Sequence, residues 1–176
     1  MSDLSDLRRR VDQLDEDIVR LLNERAQLSG EIGKLKDGGP VYAPAREAEV
    51  YDRVVAASAG VLPAEALRRI YGEIVSSSRA LQAPLRVAFL GPEATFSHQA
   101  ALSHFGSATT LLPVPTIPDV FKETEVGRAD YGVVPIENST EGAVTFSLDS
   151  FVESDLKACA EFRLEIHQAV MSRVAL

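Results

Sequence analysis

Cysteine is nearly missing from the 176-residue chain and histidine is sparse. Cys159 is the single cysteine, which excludes an internal disulfide, and His98, His104 and His167 lie too far apart for metal-ligand spacing. No metal and no cofactor is therefore expected, and Cys159 reads as a small buried apolar side chain. No apolar run approaches the ~20 residues of a membrane span. The opening Met1-Ser2-Asp3-Leu4-Ser5-Asp6 lacks the basic-then-apolar order of a secretory leader, so the expected location is cytoplasmic. Cations are also short: residues 1–84 carry 12 Lys and Arg against 14 Asp and Glu, and residues 85–176 carry 6 against 12, for a net charge of −8. That balance leaves the second half no basic face for nucleic acid. What remains, 45% hydrophobic and 25% charged, is ordinary globular material for one large or two small domains.

The dominant stretch runs from Leu4 to Lys36. Leu4, Leu7, Val11, Leu14, Ile18, Leu21, Leu28, Ile32 and Leu35 keep the alternating three-four spacing of a long helix that packs along a seam. Arg25 breaks the seam. A buried guanidinium is costly without an anion opposite, so the seam either opens to water there or meets negative charge. A helix of this length extends roughly 50 Å, more than an 84-residue segment can cover with its own core. It calls for a partner.

The long helix is expected to start at a Ser2 or Asp3 cap and to stop at Asp37-Gly38-Gly39-Pro40. Gly30 and Gly33 each cost about 1 kcal/mol of helix propensity, which suggests close approach by another backbone or a ligand. Pro44 opens a second helix to about Ser58, and Gly60-Val61-Leu62-Pro63 separates it from a third that reaches about Gln82. The third helix has an apolar stripe of Leu67, Ile70, Tyr71, Ile74 and Val75 that continues as Ser78, Leu81 and Gln82. At Ala83-Pro84-Leu85 the period changes. Strands at 85–90, 110–114, 131–136 and near 158–170 alternate with helices at 97–105, 117–126 and 143–153, which predicts a mainly parallel sheet. The expected organisation is an all-helical domain over 1–83 and an α/β lobe over 85–176.

Rotation arithmetic places the cations of the first helix. Arg25 and Lys36 share a face roughly 16 Å apart, while Arg8 lies roughly 25 Å before Arg25 and about 100° around. Arg8 cannot serve the same site on a straight helix, but in an antiparallel pair the Arg8 of one chain comes near the site of the other. Two plainer readings stand beside this: Arg8 as part of a solvated Arg8-Arg9-Arg10 run, and Lys36 as a cation offsetting the helix dipole. Ser78 and Gln82 face together at i,i+4 spacing, and Arg46-Glu47 begins the second helix. A guanidinium, ammonium, amide, hydroxyl and carboxylate with no histidine or cysteine suit electrostatic catalysis or the binding of a small polyanion.

Leu14-Asp15-Glu16, Leu21-Leu22-Asn23-Glu24-Arg25, Glu31-Ile32-Gly33-Lys34-Leu35-Lys36, Pro40-Val41-Tyr42 with Arg46-Glu47, and Ser78 with Gln82 resemble the all-helical chorismate mutases, in order and in spacing. The resemblance implies an intertwined three-helix dimer that converts chorismate to prephenate by a Claisen rearrangement. By that likeness Arg25 and the second chain's Arg8 would clamp the substrate carboxylates, with Ser78 assisting and Arg46 supporting that side. Lys36 and Gln82 would donate to the ether oxygen, and Glu47 would accept from the ring hydroxyl. Ala43 departs from the pattern, since many members carry an aspartate there that caps the second helix; either substrate affinity is weaker than usual or Glu47 suffices.

In the second half, Gly91-Pro92-Glu93-Ala94-Thr95-Phe96-Ser97-His98 and Glu137-Asn138-Ser139-Thr140-Glu141-Gly142 each follow a strand and precede a helix. Such loops suit a dicarboxylate through free helix N–H groups; they also suit ordinary turns in which Thr95 or Ser97, and Ser139 or Thr140, act as caps. Together with Pro115-Thr116-Ile117, Val120-Phe121, Asp130 to Ile136 and Ile166-His167, they resemble the first lobe of prephenate dehydratase. Thr95, Glu137, Asn138, Ser139 and Thr140 would contribute to its substrate site. Ala94 replaces a common glycine, which reads as a minor change. The order of the two parts resembles the bifunctional enzymes of phenylalanine biosynthesis, which turn prephenate into phenylpyruvate. The family's later motifs, which lie on a second lobe, are not in this sequence, so a shortened chain with a competent mutase and little dehydratase activity is expected. Two rivals stand against this reading: a non-enzymatic dimeric regulator that binds a dicarboxylate, and a lyase of the same helical fold acting on isochorismate.

Overall fold

The computed structural model describes residues 3–36, 39–139, 142–166 and 173. Three helices come first: α1 (Leu4–Leu35), α2 (Pro44–Ala57) and α3 (Ala64–Ala80). Helix α1 follows the seam spacing along its whole length and ends with the Lys36 N–H bonded to the carbonyls of Ile32 and Gly33. Pro44 stands in the first turn of α2, where its missing N–H costs nothing, and the N-cap Ala43 makes no side-chain cap. Helix α3 packs on both α1 and α2, which do not pack on each other. The pairs Arg25 with Ser78 and Ser29 with Gln82 make α1 and α3 parallel where they meet. Asp52 with Arg68 and Glu47 with Arg79 make α2 antiparallel to α3.

The α/β lobe holds a parallel sheet of β1 (Arg86–Leu90), β2 (Thr110–Val114) and β3 (Tyr131–Val133) in the order β2-β1-β3. Helix α4 (Phe96–Phe105) lies on one face and α5 (Ile117–Glu125) on the other. Alternation along the central strand fills both faces: Val87 and Phe89 point into a cluster with Ala101, Phe105 and Val133, while Ala88 meets Val120 and Ala129. A fully buried central strand explains the unbroken apolar run in the sequence.

Several expectations are corrected. The strand expected over 131–136 stops at Val133. The loop expected to run from that strand into a helix instead folds as an antiparallel hairpin of β4 (Glu137–Asn138) and β5 (Gly142–Ala143), and α6 starts only at Thr145. Among the described residues no strand forms after α6, and residues 167–170 of the expected final strand lie outside them. Cys159 is exposed rather than buried, because its segment joins no sheet. On α3 the expected stripe is also only partly covered: Val75 and Ser78 are buried, but Ile70 and Leu81 face outward. No helix among the described residues is long and apolar enough to cross a membrane.

The two parts are in contact. Helix α3 touches α4, and Tyr42, on the link between α1 and α2, is only 4% exposed because it inserts into the Val87–Phe89 cluster of the lobe.

Candidate active site

The polar residues of α1 and α3 meet at the break in the seam. Arg25 Nη1 donates to Ser78 Oγ at 2.6 Å, and Ser78 Oγ in turn donates to the Ile74 carbonyl at 2.7 Å, the back-bond of a helical serine. Ser78 is buried, so its hydroxyl is held from both sides. Four residues on, Gln82 Nε2 donates to Ser29 Oγ at 2.9 Å. Gly33 makes room for that side chain, since a Cβ there would stand 2.8 Å from Gln82 Cγ. This is the close approach that a glycine late in α1 suggested. Gly30 has open space instead, so no contact explains it.

Gln82 Oε1 is buried and has no hydrogen-bond partner. Turning the amide end for end does not remove that cost by itself, since it exchanges an unpartnered oxygen for an unpartnered NH2 at the same place. Ser29 Oγ then donates to Oε1, and the two N–H groups take the position from which a donor can serve a ligand oxygen.

Glu47 and Arg46 enter from the first turn of α2. Glu47 Oε1 accepts from Arg79 Nη1 at 2.6 Å, while Arg46 reaches out to Glu49 at 2.8 Å. Arg46 and Arg25 line one open cleft of about 570 Å³ with Arg53 and the apolar side chains of Val50, Val54 and Leu67. Three guanidinium groups over an apolar wall suit an anion with a hydrocarbon body. Tyr51 is half-buried beside these groups. Burial pushes its hydroxyl above the ordinary value and the Glu47 carboxylate adds to this by its charge and a hydrogen bond, while the cations Arg79 and Arg25 pull the other way.

Not every expected residue joins the group. Lys36 Nζ donates to the Pro40 carbonyl at 3.2 Å, on an exposed turn. Arg8 is exposed at the far end of α1, roughly 25 Å from Arg25 at 1.5 Å per residue. Within one chain it stays outside the group.

In the lobe, Thr95 acts as the cap of α4: its Oγ1 accepts from the His98 N–H at 3.3 Å and donates to the Pro92 carbonyl at 2.9 Å. Glu137, Asn138 and Ser139 are exposed on the hairpin, and Thr140 lies outside the described residues. Ala94 is more than a minor replacement, because it holds φ +64°, a conformation that disfavours any Cβ.

Arg79 and Ser29 escaped the sequence reading, and Tyr42 entered it only within Pro40-Val41-Tyr42, without a role. Arg79 is a cation next to a serine run, and nothing local separates it from a solvated one. Ser29 carried a signal, since it lies four residues after Arg25 on the face that meets α3.

The chain thus has two parts, a helical unit with a guanidinium-rich polar break and a lobe built on a three-stranded parallel sheet. Family models match both: "Prephenate dehydratase" over residues 87–175 and "Chorismate mutase type II" over residues 7–83. The chain belongs to the prephenate dehydratase family and carries a chorismate mutase region ahead of that lobe. It is 46% identical over 178 aligned residues to a bifunctional chorismate mutase/prephenate dehydratase of Aquifex aeolicus, covering 98% of this chain and 49% of the relative. It is 45% identical to the protein of the same name from Neisseria gonorrhoeae, over 94% of this chain and 46% of the relative. The chain thus spans about half the length of the curated relatives it matches. Among solved structures, a chorismate mutase from Thermus thermophilus is 38% identical at a TM-score of 0.44, covering 45% of this chain and 92% of that one.

Proposed function

We propose that the chain works as a homodimeric chorismate mutase of the cytoplasm, with two sites that each draw on both copies. The observation that carries this reading is Arg25, which interrupts an otherwise apolar seam and is held at 2.6 Å by a buried Ser78. Conversion of chorismate to prephenate breaks a carbon–oxygen bond and forms a carbon–carbon bond in one pericyclic step, so it calls for no nucleophile and no proton shuttle. It calls for the reactive conformer to be held and for the negative charge growing on the ether oxygen to be met by fixed donors. Arg25 binds a carboxylate with Ser78 behind it, and Arg46 supports the same side. Gln82, once its amide is turned so that the oxygen rather than Nε2 faces Ser29, offers N–H groups to the ether oxygen, and Lys36 joins it by leaving the Pro40 carbonyl. Glu47 accepts from the ring hydroxyl, since a carboxylate paired with Arg79 keeps further lone pairs.

Arg8 enters from the second copy. The exposed seam of α1 is the surface that a second α1 covers, and an antiparallel pair brings Arg8 of one chain toward Arg25 and Lys36 of the other. For the lobe, we propose that Thr95 and Glu137 to Thr140 form part of a prephenate site. We expect this chain to form little phenylpyruvate.

Purified chain incubated with chorismate is expected to consume it and release prephenate. Recovery of pyruvate indicates a lyase, and saturable uptake without turnover indicates a binder. Arg25→Ala is expected to raise the barrier by about 2–4 kcal/mol, the scale for loss of one fixed donor; unchanged turnover removes Arg25 from the site. Phenylpyruvate formed from prephenate at a substantial rate overturns the reading of the lobe.

A further inference from the structure

Arg79 is the most enclosed charge among the described residues, with its side chain 4% exposed. It stands on α3 with three kinds of partner around it. Nη1 donates to Glu47 Oε1 at 2.6 Å, Nη2 donates to the Phe105 carbonyl at the end of α4, and the guanidinium lies 5.3 Å above the centre of the Tyr42 ring. Thr109 Oγ1 stands at the edge of the same fork, 3.5 Å from Nη2. One planar group therefore joins the first turn of α2 to the α/β lobe, a task for which a guanidinium is suited and an ammonium is not.

The lobe is fitted closely to this spot. A Cβ on Gly106, which holds φ +78°, would lie 2.4 Å from Ser76 Cβ, so only glycine lets α4 end against α3. The Ala108 N–H donates to Ser76 Oγ at 3.3 Å, and Ser107 bonds the Glu73 carboxylate through both its N–H and its hydroxyl. On the other side, the Tyr42 hydroxyl and His104 Nε2 are 2.5 Å apart, which ties the segment just before α2 to α4. Of the groups around Arg79, Glu47 is the one that belongs to the proposed mutase site, and it follows Tyr42 by five residues.

We infer that Arg79 is a positioning residue for Glu47, held in place by the α/β lobe through the Phe105 carbonyl and the Tyr42 ring, so that the lobe forms the rear support of the mutase site. The inference rests on the reading of Glu47 as the acceptor for the substrate hydroxyl. A buried carboxylate without its cation turns toward whatever donor remains or toward water. Arg79 fixes its direction and, through the lobe, its distance.

The test is a double-mutant cycle on the full chain, read as kcat and KM for chorismate. Arg79→Met is expected to lower kcat/KM about tenfold, the size of a coupling between residues in contact, while the same change made on Glu47→Gln alters it less than about twofold. A structural role unrelated to Glu47 costs the same in both backgrounds, and that result overturns the inference. So does an Arg79→Met chain with wild-type kinetics. Circular dichroism checks that each chain is folded. If the methionine variant unfolds, Arg79→Lys carries the same cycle: lysine keeps the charge but cannot reach Glu47 and Phe105 together, and a drop seen only with Glu47 present supports the inference, whereas an equal drop or none overturns it. A wild-type chain that does not turn over chorismate overturns the mutase reading itself, a result distinct from either outcome of the cycle.

Discussion

Helix α1 carries a long apolar seam and buries none of its side chains, with Leu14 60% and Ile18 52% exposed. The five-residue β1 leaves Val87, Ala88 and Phe89 with no exposure at all. The lobe closes its core within one chain because its strand is covered on two faces by helices that follow it in sequence. The rod cannot do the same, since α3 meets only its last third and α2 does not touch it. One half closes its core within the chain, with Tyr42 of the other half as part of it, and the other leaves the apolar seam of its longest helix exposed.

That contrast breaks most completely at the seam. Leu14→Asp combined with Ile18→Asp puts two charges there, and we expect loss of dimer in sedimentation together with loss of mutase activity, while the lobe keeps its fold. A variant that still sediments as a dimer shows that the seam is not the interface. Next in size, Phe89→Ala is expected to cost about 3–5 kcal/mol in denaturant unfolding of the lobe, the range for a large buried side chain cut to alanine.

A smaller effect follows from Ala94, whose φ of +64° favours glycine. Ala94→Gly is expected to stabilise the lobe by about 1 kcal/mol, read as a higher melting temperature without change in the helical half.

The smallest expected effect is a slope. Burial, and then the charge of Arg79, hold His104 below its ordinary 6.5. Between the lowered value and 6.5 the unfolded chain takes up a proton that the folded chain refuses, so stability is present above pH 6.5 and falls as the pH drops through that window. His104→Phe is expected to flatten this acid slope of the melting temperature; an unchanged slope assigns it to other groups.

Much of the architecture was legible in the residues because it is set by local repetition. The three-four spacing gave α1 to within a residue, Pro44 marked the first turn of α2, and the short apolar runs at 85–90 and 110–114 marked strands that form over 86–90 and 110–114. The hairpin at Glu137 to Ala143 was not legible. Its strands are two residues each, too short for any period.

The polar side chains divide the same way. Arg25 announced itself by breaking a pattern, and Ser78 and Gln82 by sitting late on an apolar stripe. Each is anomalous against its own helix. Arg79 breaks no pattern: it is buried because a carbonyl of α4, 26 residues later, and the Tyr42 ring, 37 residues earlier, close over it.

By itself the sequence determined the three helices of the first half and the first two strands of the lobe, that α1 exceeds what its own half can cover, and which positions interrupt an apolar face. These are properties of period and composition, settled between near neighbours in the chain. Only the tertiary structure decided that Tyr42 belongs to the core of the lobe, that Glu47 is paired to Arg79, and that Gly106 lets α4 end against α3. Those depend on contacts between residues far apart in sequence, where no periodicity operates and only the packed shape of both halves selects the partner.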